Sequence, residues 1–159
     1  MTKLSANDIY IRHAAAEDMQ HINYIASVYF LDTEGIEYSD CIVAVCENKI
    51  IGIACFKDTE CPELNTIAVH PNYRGKGIGA LLMRGVVSCM CKGYERIYIR
   101  TTVPIFFEKM GFVALENNIK KQLWSDCADC NRFTSCKQAV MCLKLRRQEY
   151  ANNGNSQYI

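Results

Sequence analysis

The 159-residue chain carries almost no net charge: 18 Lys and Arg against 17 Asp and Glu leave +1. Global charge therefore supplies no attraction for nucleic acid or for an anionic membrane surface. The first eight residues, Met1-Thr-Lys-Leu-Ser-Ala-Asn-Asp8, lack an apolar signal core, and no apolar run approaches the roughly 20 residues of a membrane span. Internal repeats and linkers are lacking as well, so the length suits one domain with a sizeable core. The expectation from these absences is a cytoplasmic protein with neither nucleic-acid nor membrane partners.

Cysteine, by contrast, is abundant, with ten in the chain. Without a signal peptide they are expected in a reducing compartment, which argues against a disulfide framework. Cys41, Cys46, Cys55, Cys89 and Cys91 fall within or beside apolar segments, where a reduced cysteine serves as a small core residue. Cys127, Cys130, Cys136 and Cys142 follow the spacing Cys-x2-Cys-x5-Cys-x5-Cys. A Cys-x-x-Cys knuckle with further thiols suits a structural zinc site, with Cys127, Cys130 and Cys136 as ligands and Cys142 as the weaker fourth. Free thiols and a redox role are the competing readings.

Hydrophobic periodicity orders the remainder. Strand Ile9–His13 leads to a helix over about 16–31, in which Met19, Ile22, Ile25, Ala26 and Tyr29 recur at helical spacing. Cys41–Cys46 and Ile50–Phe56 read as strands around a hairpin turn at Glu47-Asn48-Lys49. Strand Glu63–Val69 precedes a long helix over about 77–92, its apolar face formed by Ile78, Leu81, Leu82, Val86 and Cys89, closed by Gly93. Arg96–Arg100 alternates as a strand, Pro104 opens a short helix to Met110, and strands follow at 112–115 and 139–145. One domain is expected over 1–146, including the Cys-rich segment 121–142, with an unstructured polar tail at 147–159.

The segment Ile67-Ala-Val-His-Pro-Asn-Tyr-Arg-Gly-Lys-Gly-Ile-Gly-Ala-Leu-Leu-Met83 carries the chemistry. A strand passes through a basic, glycine-rich loop into a helix, which is the arrangement of an anion site. Gly75, Gly77 and Gly79 remove the Cβ atoms that would keep a ligand off the backbone, while the first helical turn presents unpaired N–H groups and a positive dipole end. Arg74 and Lys76 add mobile charge, as a phosphate-bearing ligand requires. Other phosphate motifs fit less well. Gly75-x-Gly77-x-x-Ala80 satisfies a relaxed dinucleotide fingerprint, but Pro71 to Arg74 intervene after the strand, and the next strand ends at Arg100 instead of an acid. A P-loop is excluded because Gly77 follows Lys76 where Ser or Thr would bind magnesium.

Arg74-x-x-Gly77-x-Gly79 after a strand resembles the acetyl-coenzyme A signature of the GCN5-related N-acetyltransferases (GNAT). The resemblance extends through Thr102-Val-Pro-Ile-Phe-Phe-Glu-Lys-Met-Gly-Phe112 and covers roughly residues 8 to 145. It implies an α/β (α+β) GNAT fold: a mixed, mostly antiparallel sheet of about seven strands flanked by helices, splayed between the fourth and fifth strands to admit the cofactor. It also implies transfer of an acetyl group from acetyl-CoA to a primary amine by direct attack. In this resemblance the backbone of Ile67, Ala68 and Val69 pairs with the pantetheine arm and the Val69 N–H polarises the thioester. Arg74, Gly75, Lys76, Gly77, Ile78, Gly79 and Ala80 hold the pyrophosphate, and Phe106, Phe107 and Lys109 lie along the cofactor channel, although one of the two adjacent Phe could equally be plain core. Glu63, five residues before Ala68, stands where many members carry the general base; an exposed strand-edge glutamate next to Pro62 is the other reading. His70, just before Pro71, reads as structural. Phe107 occupies the position of the usual tyrosine acid and cannot donate a proton, leaving Tyr98, Thr102 or unassisted departure of the thiolate.

Lys121-Gln-Leu-Trp-Ser-Asp-Cys-Ala-Asp-Cys130, with Cys136 beyond it, resembles the tail of single-domain amino-acid acetyltransferases related to N-acetylglutamate synthase. That likeness implies an α-amino acid acceptor, glutamate first, whose carboxylates would need Arg12, Arg100, Lys120 or Lys121. Acetylation of a protein N-terminus or lysine, and an acetyl-CoA-binding regulatory protein without turnover, are the alternatives. A second copy of the chain is an open partner.

Overall fold

The computed structural model describes residues 8–57, 59, 61–90 and 93–145; Cys91, Lys92 and the polar tail expected over 147–159 lie outside them. Apolar runs Cys41–Cys46 (β2) and Lys49–Lys57 (β3) form a hairpin because the two residues between them, Glu47 and Asn48, both take positive φ, 48° and 63°. That backbone twist matches the flanking strands and fixes the register that buries every residue of β2. The remaining strands are Ile9–His13 (β1), Glu63–Val69 (β4), Arg96–Thr101 (β5), Val113–Ala114 (β6) and Ala139–Lys144 (β7).

They make one sheet of seven strands in the order β1-β2-β3-β4-β5-β7-β6. All neighbours are antiparallel except β4 and β5, which run parallel. Among the described residues that pair is in register only at Glu63 and Tyr98, held by the Tyr98 N–H on the Pro62 carbonyl at 2.9 Å. Beyond it the two strands part, so the sheet opens into a cleft toward Val69 and Thr101. This is the mixed, splayed sheet expected from the sequence.

Helix Met19–Val28 (α1) covers one face of the sheet with Ile22, Ile25 and Ala26. Helix Ile78–Met90 (α2) covers the other, burying Ile78, Leu82, Val86 and Met90 at helical spacing. Gly52 on β3 lets α2 approach the sheet: a Cβ there would come within 2.9 Å of the Leu82 Cδ1. Pro104–Glu108 (α3) packs its Phe107 on the same side. Among the described residues no helix is long and apolar enough to cross a membrane.

Two departures from the periodicity reading have local causes. The first helix was expected over 16–31, but a 3-10 turn occupies Ala16–Asp18 and the α-helix stops at Val28. Phe30 then adopts φ 56°, and the Leu31 N–H closes on the Ala26 carbonyl at 3.0 Å, a left-handed C-terminal cap. Periodicity gives no element between the strands expected at 112–115 and 139–145, yet Ile119–Leu123 (α4), Ser125–Ala128 (α5) and a 3-10 turn at Phe133–Ser135 form there. Trp124 between α4 and α5 is buried and anchors the segment on the sheet.

The start of α1 supplies a test of the framework. Asp18 accepts from Arg12 Nη1 at 2.6 Å and from the Ala15 N–H at 2.7 Å. The hydrogen-bonded Arg12 guanidinium holds the Asp18 carboxyl below its ordinary value against the opposing effect of burial. A depressed folded pKa means that this stabilisation is present above the unfolded value of about 4 and is lost as pH falls through the lower folded one. Asp18→Asn should therefore cost about 1–2 kcal/mol in urea unfolding at pH 7 and flatten the acid limb of stability below about pH 4. An unchanged urea midpoint at both pH values would show that the pair does not hold the helix start.

Candidate active site

The loop from Pro71 to Gly77 enters α2 with its glycines in the left-handed region, Gly75 at φ 76° and Gly77 at φ 78°. Nothing lies within 4 Å of a Cβ built on either, so the space beside them is open to a ligand. Gly79 differs. Its missing Cβ makes room for the Phe106 ring, whose Cζ would stand 3.1 Å away. Arg74 is exposed, with its guanidinium over the Tyr29 ring, and Lys76 sits over Tyr73. Thirteen-residue α2 points its free N–H groups at this loop. The cradle, the helix end and the two cations fit a pyrophosphate, so the residues expected to hold acetyl-CoA's diphosphate are together in space.

The β4 edge leads from that loop into the cleft. The His70 N–H is donated to Ile51 on β3 at 2.8 Å. Alternation along a strand then turns the Val69 N–H and carbonyl to the opposite edge, toward the cleft. On that edge the Tyr29 hydroxyl donates to the Val69 carbonyl at 2.6 Å. Sequence periodicity placed Tyr29 only on an apolar helix face. Its hydroxyl ties the end of α1 to the β4 edge 40 residues on, and nothing local in the sequence signals that bond.

At the closed end of the cleft, Glu63 is 7% exposed and both carboxylate oxygens are engaged. Oε1 accepts from Arg100 Nε at 3.0 Å and pairs with Nη2 at 2.9 Å, while Oε2 accepts from the Trp124 indole at 3.0 Å. Arg100 Nη1 reaches Asp126 at 2.7 Å and the Cys127 sulfur at 3.5 Å, and the guanidinium lies 4.4 Å from the Trp124 ring centre. Burial works against the Arg100 charge, but Glu63 and the bonds to Asp126 and Cys127 outweigh it and push its pKa up. The strand-edge alternative for Glu63 does not describe this geometry: the carboxylate is held in place by donors from β5 and from the Cys-rich segment.

Other expected residues separate. Phe107 is buried between Phe106 and Phe112 in edge-to-face contacts, the core member of the pair. Of the four candidate carboxylate partners, Arg12 is paired with Asp18 and Arg100 with Glu63 and Asp126; Lys121 is exposed, and Lys120 is buried. Cys41 and Cys55 face each other across the hairpin with sulfurs 2.6 Å apart; their hydrogen bond, then burial, push the Cys55 thiol up.

The zinc reading is corrected. Among the described residues no group of three or more Cys, His, Asp or Glu is arranged to hold a metal. Cys127 is directed at Arg100, Cys130 is exposed, and Cys142 is buried in β7, where desolvation raises its thiol pKa. A cavity of about 690 Å³ between α1, β3 and His70 is lined by Arg12, His21, Tyr24, Lys49 and Tyr73 among others; neither Glu63 nor the loop glycines line it.

Comparison with known proteins bears on this arrangement. A family model described as an acetyltransferase (GNAT) domain matches residues 37–114, which span the hairpin, β4, the glycine loop, α2, β5 and α3. An uncharacterised N-acetyltransferase of Chlorobaculum tepidum is 26% identical over 153 residues, 87% of this chain and 97% of that protein. The N-acetylglutamate synthase of Neisseria gonorrhoeae, solved with coenzyme A and N-acetyl-glutamate, superposes with a TM-score of 0.72 at 20% identity over 87% of this chain. The present chain spans only 35% of that synthase's length. Arabidopsis thaliana Naa50, solved with the bisubstrate analogue CoA-Ac-MVNAL, superposes with a TM-score of 0.63 at 17% identity, covering 86% of this chain and 99% of that one.

Proposed function

Because the chain carries a GNAT acetyltransferase domain and acts as an acetyl-CoA-dependent N-acetyltransferase, we propose that its acceptor is the amino group of a small α-amino acid, with glutamate the first candidate. The observation that carries this reading is the closed end of the β4–β5 cleft, where Glu63, Arg100 and Trp124 form a compact polar floor. A floor of that kind suits a short polar acceptor. The fold likeness to a synthase solved with N-acetyl-glutamate supports the same class.

In this reading the neutral amine nitrogen attacks the acetyl carbonyl carbon, the new N–C bond forms, and the C–S bond breaks to release coenzyme A as a thiolate. The Val69 N–H, aimed into the cleft, is the donor for the developing carbonyl charge. Glu63 lies six strand residues, roughly 20 Å, before Val69, so it takes the amine proton through a file of waters along the cleft, on a lone pair left over from its bonds to Arg100 and Trp124. Tyr29 keeps the β4 edge in line by engaging the Val69 carbonyl. Phe107, in the core, donates nothing, and a thiolate of low basicity leaves without a dedicated acid.

A peptide acceptor is the second reading, favoured by apolar side chains at the open end of the cleft: Phe30 is 96% exposed, and Val103 and Ile105 are exposed after β5. Coenzyme A release measured against amino acids, polyamines and peptides separates the two. Turnover of free amino acids is expected, and turnover confined to peptides would overturn the proposal.

A further inference from the structure

We propose that Lys120 is a buried anion receptor that binds the carboxylate of the acceptor; this inference rests on the amino-acid reading above. Lys120 is 1% exposed, and its Nζ has no hydrogen-bond partner among the described residues. The Lys120 Nζ lies 5.6 Å from the centroid of the Phe133 ring. A ring face attracts an ammonium but accepts none of its three hydrogen bonds in full. An ammonium taken from water without an anion is among the most costly groups a fold can bury. Such a group persists where a ligand completes it.

Its position in the fold says which ligand. Lys120 lies one turn before Trp124, whose N–H closes on the Lys120 carbonyl at 3.0 Å. Both side chains are buried while Lys121 and Gln122 between them are exposed, and Trp124, in extended backbone at the end of α4, donates to Glu63. Lys120 thus lies four residues along the chain from the indole that holds the group assigned to deprotonate the acceptor amine. An α-amino acid carries a carboxylate one carbon from its amine; Arg100 is already paired with Glu63 and Asp126, whereas the Lys120 Nζ is buried with no hydrogen-bond partner among the described residues. Phe133, flanked by Lys121 at 4.3 Å, covers the ammonium from the Cys-rich turn.

The test compares the amino acid that turns over fastest with its α-carboxamide, in the wild-type chain and in Lys120→Met. Met keeps the length of the side chain and removes the charge, and the apolar burial it gains should keep or raise the melting temperature. Wild-type kcat/KM should fall by roughly 100-fold from acid to amide. Lys120→Met should lose about 100-fold on the acid, mostly in KM, and stay within about threefold of wild type on the amide, with acetyl-CoA affinity by calorimetry unchanged. Equal losses on acid and amide, or no loss on either, would overturn the proposal. Lys120→Gln takes the same comparison if the Met variant does not fold. A second measurement does not depend on turnover: N-acetyl-glutamate should raise the melting temperature of the wild-type protein and not of Lys120→Met. If the chain turns over only peptides, the acceptor reading fails by itself. In that case stabilisation by N-acetyl-glutamate that needs Lys120 sustains the anion site, and stabilisation that is absent or independent of Lys120 removes it.

Discussion

In the Gly77→Val protein the dissociation constant for acetyl-CoA is expected to rise by at least 30-fold, about 2 kcal/mol, while the chain remains folded. Gly77 sits at φ 78° with open space beside it, so a side chain meets no protein atom. Its cost to the fold is the left-handed backbone of a β-branched residue, about 1–3 kcal/mol. Its cost to the ligand is larger in kind, because the valine methyls stand where a pyrophosphate must approach the N–H groups at the start of α2. Gly35→Val separates the two costs. Gly35 has φ 76° and equally open surroundings but lies outside the glycine loop, so it carries the strain without the obstruction. Calorimetry should find wild-type affinity in Gly35→Val and the loss in Gly77→Val. Wild-type affinity in a folded Gly77→Val protein would show that the loop does not cradle the cofactor.

What the sequence revealed of this molecule tracks the range of the interactions involved. Strands β2 and β4 appear at the expected residues because the continuous apolar run of the one, the alternation of the other and the flanking turn residues are written within a few positions. The glycine loop was legible for the same reason: strand, basic turn and helix start are consecutive. Even there, the three glycines turned out unequal. Gly75 and Gly77 serve the backbone, whereas Gly79 serves the packing of Phe106 from 27 residues away.

Interactions across the fold were not legible. Glu63 could be singled out by its offset from the cofactor strand, but its partners Arg100 and Trp124 lie 37 and 61 residues further on. Tyr29 looked like one more apolar position on α1 until its hydroxyl was found on Val69. The cysteine spacing misled because knuckle spacing permits a metal site without requiring one. Short helices α4 and α5 spread those thiols, turning Cys127 toward Arg100 and leaving Cys130 in solvent. Composition also obscured Lys120, since a lysine next to another lysine reads as solvated surface, while the fold buries it with its ammonium near Phe133.

Glu63→Gln should lower turnover by roughly 100-fold or more at neutral pH, with acetyl-CoA affinity nearly unchanged, because the carboxylate acts on the amine and not on the cofactor. The geometry adds a second consequence. A Gln amide must aim an NH2 at either Arg100 or Trp124, both donors, so one buried donor loses its acceptor and stability should fall by about 2 kcal/mol. Asp126 still holds Arg100, which keeps the loss from being larger. Loss of activity alone would not distinguish a base from an anchor for Arg100, so Arg100→Gln is the necessary companion. If Glu63 is the base, Arg100→Gln keeps far more turnover than Glu63→Gln, because the carboxylate remains. If Glu63 only anchors Arg100, the two variants lose similar activity. Wild-type turnover in Glu63→Gln, measured where chemistry limits the rate, would remove Glu63 from the reaction altogether and leave its carboxylate as the tie between β4, β5 and Trp124.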